Sequence, residues 1–374
     1  MIPGRDAGAE AVAGRIAGLD VARGLAVLGM FAAHFQLGGD LVAAEPASWG
    51  GLADGRSSIL FATLAGISVA LISGRTRPPV GLGLVRARLR IFVRALWVFL
   101  IGFLLERLDT FVAIILGVYA VLFVLVLPFL RWPVRRLLLA AGAIAVVGPP
   151  LVVVLGQLLT SAGLAENPVA FLLVTGYYPA LLWWAFVLVG LAVGRLDLGA
   201  ATVRRRLAAA GAAAAVAGYG GGWSTTRLLA RGVPSSGPEV GFRSPVGEVR
   251  VVWLTGAEPH SGTTFEMVGS TGFALLVVAG CLVLAERLPA LTAPVGAVGA
   301  LALSVYSAHI VAIWALLQLA PQAAQGLDVW VLFVAGAVLA ATTWRLAFGR
   351  GPLERLLTWT SSRAAGVRPS SPAI

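Results

Sequence analysis

The sequence predicts an all-α fold, a polytopic bundle of about ten transmembrane helices. Of its 374 residues, 59% are hydrophobic and 12% are charged, whereas a soluble domain is about 45–50% apolar and about 25% charged. The apolar runs are long and continuous. They lack the alternation at every second residue that is typical of membrane β-barrels. Composition therefore indicates a helical protein whose first partner is the lipid bilayer.

Each predicted span is an apolar run of about 20 residues, the length that crosses a bilayer. In chain order the spans are residues 19–37, 57–74, 90–106, 111–130, 137–159, 178–194, 207–223, 266–285, 296–318 and 329–348.

The segments outside the spans complete the predicted domain organisation. Residues 1–18 form a hydrophilic N-terminal tail, and residues 358–374 form a C-terminal tail predicted to be disordered. The residues between them, 19–357, form one transmembrane domain. Its long hydrophilic loop at 224–265 is too short for a separate domain.

The arginine distribution predicts that both termini are cytoplasmic. The chain has no lysine and a formal net charge of +11. With the N-terminus inside, the clusters at 75–90, 131–136 and 204–206 also fall inside, and the loop at 224–265 falls outside. This distribution explains the positive charge without a nucleic-acid partner. The mixed-charge N-terminus differs from a signal peptide, and the Ala-, Gly- and Arg-rich composition suggests a multi-pass protein of a bacterial inner membrane.

The first span contains an arginine and a histidine, although ionisable groups are costly in hydrocarbon. Arg23 and His34 are eleven residues apart, so they share one helix face roughly 16–17 Å apart along the axis. Asp20 lies three residues before Arg23 and can pair with it. Two simpler interpretations stay open: Arg23 marks the inner interface by snorkelling, and His34 is a packing histidine.

The stretch "LDVARGLAVLGMFAAHF" (19–35) resembles the first span of the integral-membrane acyltransferase superfamily. One branch, the acyltransferase-three family, carries an arginine and a histidine separated by ten residues, as Arg23 and His34 are. A second branch contains heparan-α-glucosaminide N-acetyltransferase. Further stretches resemble that branch and a related bacterial family of unknown function: residues 48–71, 175–198, 299–310 and 351–357.

The resemblance implies transfer of an acyl group, usually acetyl, from cytoplasmic acetyl-CoA to an acceptor at the outer face, here an envelope sugar. It implies that Arg23 contacts the donor phosphates and that His34 is the catalytic residue. Whether His34 acts as general base or carries the acyl group stays open. Pro46 stands where the heparan branch has its catalytic histidine, so neither that histidine nor a heparan substrate is transferred to this chain.

Four further residues are candidates for acceptor binding. His309 lies as deep in its predicted span as His34 does in the first, so the two should face one cavity, with Tyr306 on the same face as His309. His260 and Glu266 belong to the outer loop and the start of the next span. Structural roles stay open for each: a satisfied histidine, a solvated loop and a favourable helix dipole.

No residue spacing in the sequence matches a metal site, and no prosthetic group is predicted. The main rival function is a transporter or flippase for a small molecule or lipid, which would also explain intramembrane Arg and His. Transporters often show inverted repeats and paired broken helices. Neither is visible in the sequence, which favours the acyltransferase.

Overall fold

A computed structural model describes residues 16–35, 50–229, 254–320 and 326–366, and in these ranges the chain is helical without β-strands. The helices are α1 (Ala17–His34), α2 (Arg56–Ile72), α3 (Gly81–Glu106), α4 (Leu116–Leu125), α5 (Val134–Ser161), α6 (Ala180–Gly194), α7 (Ala201–Ala215), α8 (Gly221–Leu229), α9 (Thr264–Arg287), α10 (Pro289–Ala300), α11 (Ala302–Leu319), α12 (Leu327–Phe348) and α13 (Pro352–Ala364).

The described part of this membrane protein is all-helical, but the predicted count of ten spans is not confirmed. Within the described residues, five helices are long and apolar enough to cross a bilayer. The count rises to six if the bent pair Pro168–Thr175 and Ala180–Gly194, which turns by 58°, is one span. The other predicted spans coincide with helices that are shorter, interrupted or charged. The side of the membrane on which the termini lie stays a prediction.

The predicted span at 296–318 is wrong as a single helix, because it consists of two helices, α10 and α11, separated at Leu301. A carboxylate from α13 supports the break. Glu354 accepts hydrogen bonds from the backbone N–H groups of Leu303 and Ser304, and from the Ser304 hydroxyl. These N–H groups would otherwise be unsatisfied at the start of α11. Hydropathy alone does not reveal such a break, because both helices are apolar.

The predicted disordered tail at 358–374 is wrong for its first residues, and residues 367–374 lie outside the described residues. Helix α13 continues through residues 358–364, where Ser361 and Ser362 are buried. The guanidinium of Arg94 on α3 donates to the hydroxyls of Thr358 and Ser361 and so ties α13 to the bundle. Similarly, the predicted loop at 224–265 begins with the last residues of α8. Residues 230–253 of that loop lie outside the described residues.

Glycines allow the central helices to approach closely. A Cβ placed on Gly190 of α6 would lie 1.9 Å from the Thr63 carbonyl oxygen of α2, and one on Gly66 would lie 2.1 Å from the Val187 oxygen. Small residues at such crossings are typical of packed membrane helices. The crossing of α1 with α10 is equally close, since a Cβ on Gly299 would lie 1.8 Å from the Asp20 oxygen. This packing fixes α1 and its three ionisable residues, Asp20, Arg23 and His34, against the bundle.

A buried arginine joins the ends of three helical segments. The Arg195 guanidinium, just after α6, donates to the backbone carbonyls of Ser73, Arg75 and Leu130. Burial lowers the pKa of Arg195 to about 10, so the group stays charged at neutral pH. Its hydrogen bonds satisfy carbonyl groups where α2 and the segment after α4 end, which stabilises this end of the bundle.

Candidate active site

Two histidines from distant parts of the chain meet inside the bundle. Nδ1 of His34, at the end of α1, lies 3.0 Å from Nε2 of His309, in the middle of α11. Their rings are nearly parallel, with centroids 5.2 Å apart. The Phe31 ring also stacks on His309, at 4.3 Å. His309 is only 4% exposed, whereas His34 is half-buried. The sequence predicts from their similar depths that these two histidines face one cavity, and the structure places them in contact.

The contact restricts which of the ring nitrogens can carry protons. One of the two facing nitrogens must donate and the other accept when both rings are neutral. His309 Nδ1 is buried and has no hydrogen-bond partner among the described residues. A proton on that nitrogen leaves His309 Nε2 as the acceptor and His34 Nδ1 as the donor. The remaining nitrogen of His34, Nε2, is then unprotonated and can accept a proton or attack a carbonyl carbon.

Tyr306 lies beside the pair, as the sequence predicts. Its ring packs edge-to-face on His309 with centroids 5.0 Å apart, and it is 2% exposed. Its hydroxyl is directed toward the Ile115 carbonyl but makes no hydrogen bond of normal geometry within the described residues. The Tyr306 hydroxyl is therefore a buried polar group next to the imidazole pair.

Arg23 lies near the opposite end of α1 from His34. Its guanidinium donates to Asp20 at 2.9 Å, to the Gly299 carbonyl at 3.3 Å and to the Ser68 hydroxyl at 3.1 Å. The pairing of Asp20 with Arg23 expected from their spacing is confirmed. The Arg23 side chain is 20% exposed, and these three bonds use three of its five N–H donors.

A second group of residues, here called the loop cluster, consists of Asp54, Tyr177, Tyr178, His260 and Glu266. It lies at the end of the bundle where α1 ends and α2 begins. His260 Nε2 is 3.6 Å from Asp54 Oδ1, and the His260 ring packs against the rings of Tyr177 and Tyr178 at 5.1 and 5.6 Å. The two residues predicted in the outer loop therefore belong to a contiguous polar and aromatic cluster.

Glu266 holds this loop in shape. Its buried carboxylate accepts from the backbone N–H groups of His260 and Gly262, each at 2.6 Å, and from the Ser261 hydroxyl at 3.3 Å. Thr263 caps α9 by accepting from the Glu266 N–H, an N-cap arrangement that satisfies the first turn. Through these hydrogen bonds to the loop, Glu266 positions His260.

A cavity of about 280 Å³ lies beside the loop cluster. Tyr177 and Tyr178 line it together with Glu106 and Asp109, and its other walls are largely apolar. Tyr177 also lines the smaller pocket that contains His260 and Glu266. The Tyr178 ring packs against the rings of Tyr177, Trp183 and His260.

Comparison with known proteins gives two family matches. A family model described as "Heparan-alpha-glucosaminide N-acetyltransferase, catalytic" matches residues 15–224, more than half of the chain. The chain belongs to this family. A second model, described as "Protein of unknown function (DUF418)", matches residues 239–363. Neither a curated protein nor a solved structure matches the chain.

Both candidate groups are assembled across the two matched regions. The part matched by the N-acetyltransferase family supplies His34 and Asp54, and the part matched by the family of unknown function supplies His309 and His260. Membership of the N-acetyltransferase family points to membrane acetyltransferase-like activity. Pro46, which stands in place of that family's histidine, lies outside the described residues.

Sequence reasoning did not identify Asp54, Tyr177 or Tyr178 as site residues. It also missed a polar network in which Arg56 donates to the Tyr219 hydroxyl, which lies 3.1 Å from the Ser270 hydroxyl. The residues around Asp54 resemble an ordinary turn in the sequence. Only the contact with a distant histidine identifies Asp54 as a candidate site residue. Among the described residues, no group of three or more His, Cys, Asp or Glu is placed to hold a metal ion.

Proposed function

We propose that this protein is a bacterial inner-membrane acetyltransferase that moves an acetyl group from cytoplasmic acetyl-CoA to an extracytoplasmic acceptor, an envelope sugar. The observation that carries the proposal is the 3.0 Å contact between His34 and His309. It lies between the region matched by the N-acetyltransferase family and the remainder of the chain. A half-buried imidazole that contacts a buried one and keeps an unprotonated ring nitrogen is suited to acyl transfer.

In this proposal His34 is the catalytic residue. Its Nε2 either accepts the proton of the acceptor or attacks the thioester carbon and carries the acetyl group. In both routes the C–S bond of acetyl-CoA breaks and the coenzyme A thiolate leaves with the bonding electrons. In the first route the acceptor proton held by His34 passes to the thiolate, and in the second the thiolate takes up a proton from water. In the tautomer with the proton on His34 Nδ1, His309 Nε2 accepts the hydrogen bond across the 3.0 Å contact and orients the ring. Tyr306 packs on His309 and helps to fix its orientation.

Arg23 is the proposed contact for the donor phosphates. It lies on α1 about three turns from His34, and two of its N–H donors stay available after its bonds to Asp20, Ser68 and Gly299. The loop cluster is the proposed acceptor side, with His260 and Glu266 at its centre and Tyr306 toward the histidine pair. Donor and acceptor then approach His34 from opposite ends of the bundle.

Acetyl transfer is testable with purified protein in proteoliposomes. The donor is radiolabelled acetyl-CoA, and the probe acceptors are glucosamine, suggested by the name of the matched family, and glucose, which offers hydroxyls only. We expect acetyl-CoA-dependent labelling of one of these sugars, and His34→Ala should abolish it while acetyl-CoA binding persists. A protein that neither binds nor consumes acetyl-CoA would contradict the proposal and favour the transporter. Labelling by His34→Ala at the wild-type rate would remove His34 from the mechanism.

A further inference from the structure

Three arginines, here called the arginine cluster, lie together where α3 packs against α13. Arg90 and Arg94 are four residues apart on α3, so they share one face of that helix. Arg350 belongs to the turn between α12 and α13. The positive charges of Arg90 and Arg350 both act on that of Arg94. The proposed acetyl transfer uses none of the three residues.

The charges of the arginine cluster are not neutralised within the described residues. Arg94 is half-buried, and its guanidinium donates to two uncharged hydroxyls, those of Thr358 at 3.4 Å and Ser361 at 3.3 Å. Nε of Arg90 is buried and has no hydrogen-bond partner in this part of the chain. No ion pair joins the cluster to a carboxylate of the described chain. Sheltered positive charges are costly without a counter-charge, so this arrangement favours a bound anion.

The carboxylate of α13 is engaged elsewhere. Glu354 accepts hydrogen bonds from the backbone N–H groups of Leu303 and Ser304 at the start of α11, and from the Ser304 hydroxyl. The turn that carries Arg350 is also held in place, because the indole N–H of Trp344 donates to the Arg350 carbonyl at 3.2 Å. The cluster therefore has fixed supports on α13 and in the turn before it, but no counter-charge from α13.

The surroundings of the arginine cluster have the character of a membrane surface. Phe92 and Leu96 on α3 are exposed apolar side chains, as expected for residues that face lipid. On α13, Trp359 is 50% exposed and the Arg363 guanidinium lies over its ring at 5.1 Å, and exposed tryptophan is typical of the interface between lipid and water. The arginines at 75–90 are predicted to be cytoplasmic, the side on which anionic lipids make the membrane surface negative.

We infer that the arginine cluster binds a phosphate group, that of an anionic phospholipid in the surrounding bilayer. Guanidinium groups bind phosphate oxygens through charge-assisted hydrogen bonds, and basic pockets between membrane helices hold phospholipid head groups. The head group lies against the three arginines, and the acyl chains lie along the exposed apolar side chains of α3. The phosphates of coenzyme A have the same chemistry and are the second possible source. The inference does not depend on acetyl transfer.

The test measures ligand binding to delipidated protein in a neutral detergent by native mass spectrometry. The probes are phosphatidylglycerol, which has a net negative charge, phosphatidylcholine, which has none, and coenzyme A. The test variant combines Arg90→Gln and Arg350→Gln and keeps Arg94, which ties α13 to α3. The matched control combines Arg86→Gln and Arg135→Gln, which removes the same charge from two exposed arginines.

We expect the wild type to bind one molecule of phosphatidylglycerol more tightly than phosphatidylcholine. The test variant should bind phosphatidylglycerol roughly 30-fold more weakly, about fivefold for each arginine, the contribution of one basic residue near an anionic surface. The control should match the wild type. Thermal unfolding in the same detergent, measured on every sample, should show that the test variant is folded.

The coenzyme A titration identifies the source of the phosphate. Weaker binding of coenzyme A by the test variant alone, with phosphatidylglycerol binding unchanged, would support the phosphate site and assign it to the acyl donor. Wild-type protein that binds phosphatidylglycerol but not coenzyme A would contradict the proposed function and support this inference.

Three outcomes would overturn the inference. The first is a folded test variant that binds both phosphatidylglycerol and coenzyme A as tightly as the wild type. The second is an equal loss of affinity in the control, which would show a diffuse effect of net charge and leave Arg90 as a snorkelling residue. The third is wild-type protein that binds phosphatidylcholine as tightly as phosphatidylglycerol and has an affinity for coenzyme A that the test variant retains.

Discussion

Replacement of His309 by alanine tests whether the histidine pair acts as a unit. In the structure His34 Nδ1 lies 3.0 Å from His309 Nε2, and the surrounding Phe31 and Tyr306 rings exclude water from His309, which is 4% exposed. Truncation to alanine leaves the His34 N–H without a partner. An unsatisfied buried donor costs about 1–3 kcal/mol, and the orientation of the catalytic ring is lost with it.

This free-energy cost predicts how much slower the variant should be. If the whole cost falls on the transition state, kcat/KM should decrease by roughly 5- to 150-fold, since about 1.4 kcal/mol corresponds to a factor of ten. The decrease should be smaller than that for His34→Ala, which removes the reacting group itself and costs about 10²–10⁴-fold or more. His309→Gln should lie within about tenfold of wild type, because its amide oxygen can accept the same hydrogen bond.

The assay is the initial rate of acetyl-CoA-dependent labelling of the probe sugar in proteoliposomes. Thermal unfolding in detergent is measured on the same preparations, so that loss of fold is separated from loss of chemistry. Equal rates for His309→Ala and wild type would refute the reasoning. A rate for His309→Gln no higher than that for His309→Ala would refute it equally, because the hydrogen bond would then have no effect.

Three other predictions follow from the packing, charge and topology. Gly190→Ala should lower the melting temperature, because its Cβ would lie 1.9 Å from a backbone oxygen. The control Gly142→Ala places its Cβ with no atom within 4 Å, so it should leave the melting temperature unchanged or raise it through helix propensity. Equal shifts for the two variants would contradict the close crossing. Arg23→Ala should weaken acetyl-CoA binding measured by calorimetric titration in a folded protein, and unchanged affinity would leave Arg23 with only its contacts to Asp20, Ser68 and Gly299. A cysteine at position 240, in a background lacking the buried Cys281, should react with an impermeant reagent in intact cells, whereas reaction only after permeabilisation would place this loop in the cytoplasm.

The proximity of the two histidines could be predicted from the sequence, because it follows from counting residues along helices. Each residue of a helix adds about 1.5 Å, so His34 and His309 have similar depths whatever the details of the loops. The pairing of Asp20 with Arg23 is also a local consequence of helical spacing. The pairing of Asp20 with Arg23 needs only a regular helix between them. The count from residue 296 to His309 crosses the break at Leu301, so it gives the depth of His309 only approximately.

The loop cluster and the break at Leu301 could not be predicted in this way. Asp54 and His260 come from loops separated by most of the chain, and no periodicity links them. The break at Leu301 lies inside a continuous apolar run, where one long helix and two short ones have the same hydropathy. It is supported by Glu354, which comes from α13. Only the folded chain shows that this carboxylate is available for the start of α11.

The arrangement of the two matched regions explains why the second one accompanies the first. Residues 15–224 contribute His34 and Asp54, but each of these side chains faces a histidine from residues 239–363. The second region fixes its own histidines: Glu266 shapes the loop that carries His260, and Glu354 holds the start of the helix that carries His309. If the proposed chemistry is correct, neither region contains a complete reactive pair. The segment of unknown function then supplies the partner that orients His34 and the loop histidine on the proposed acceptor side.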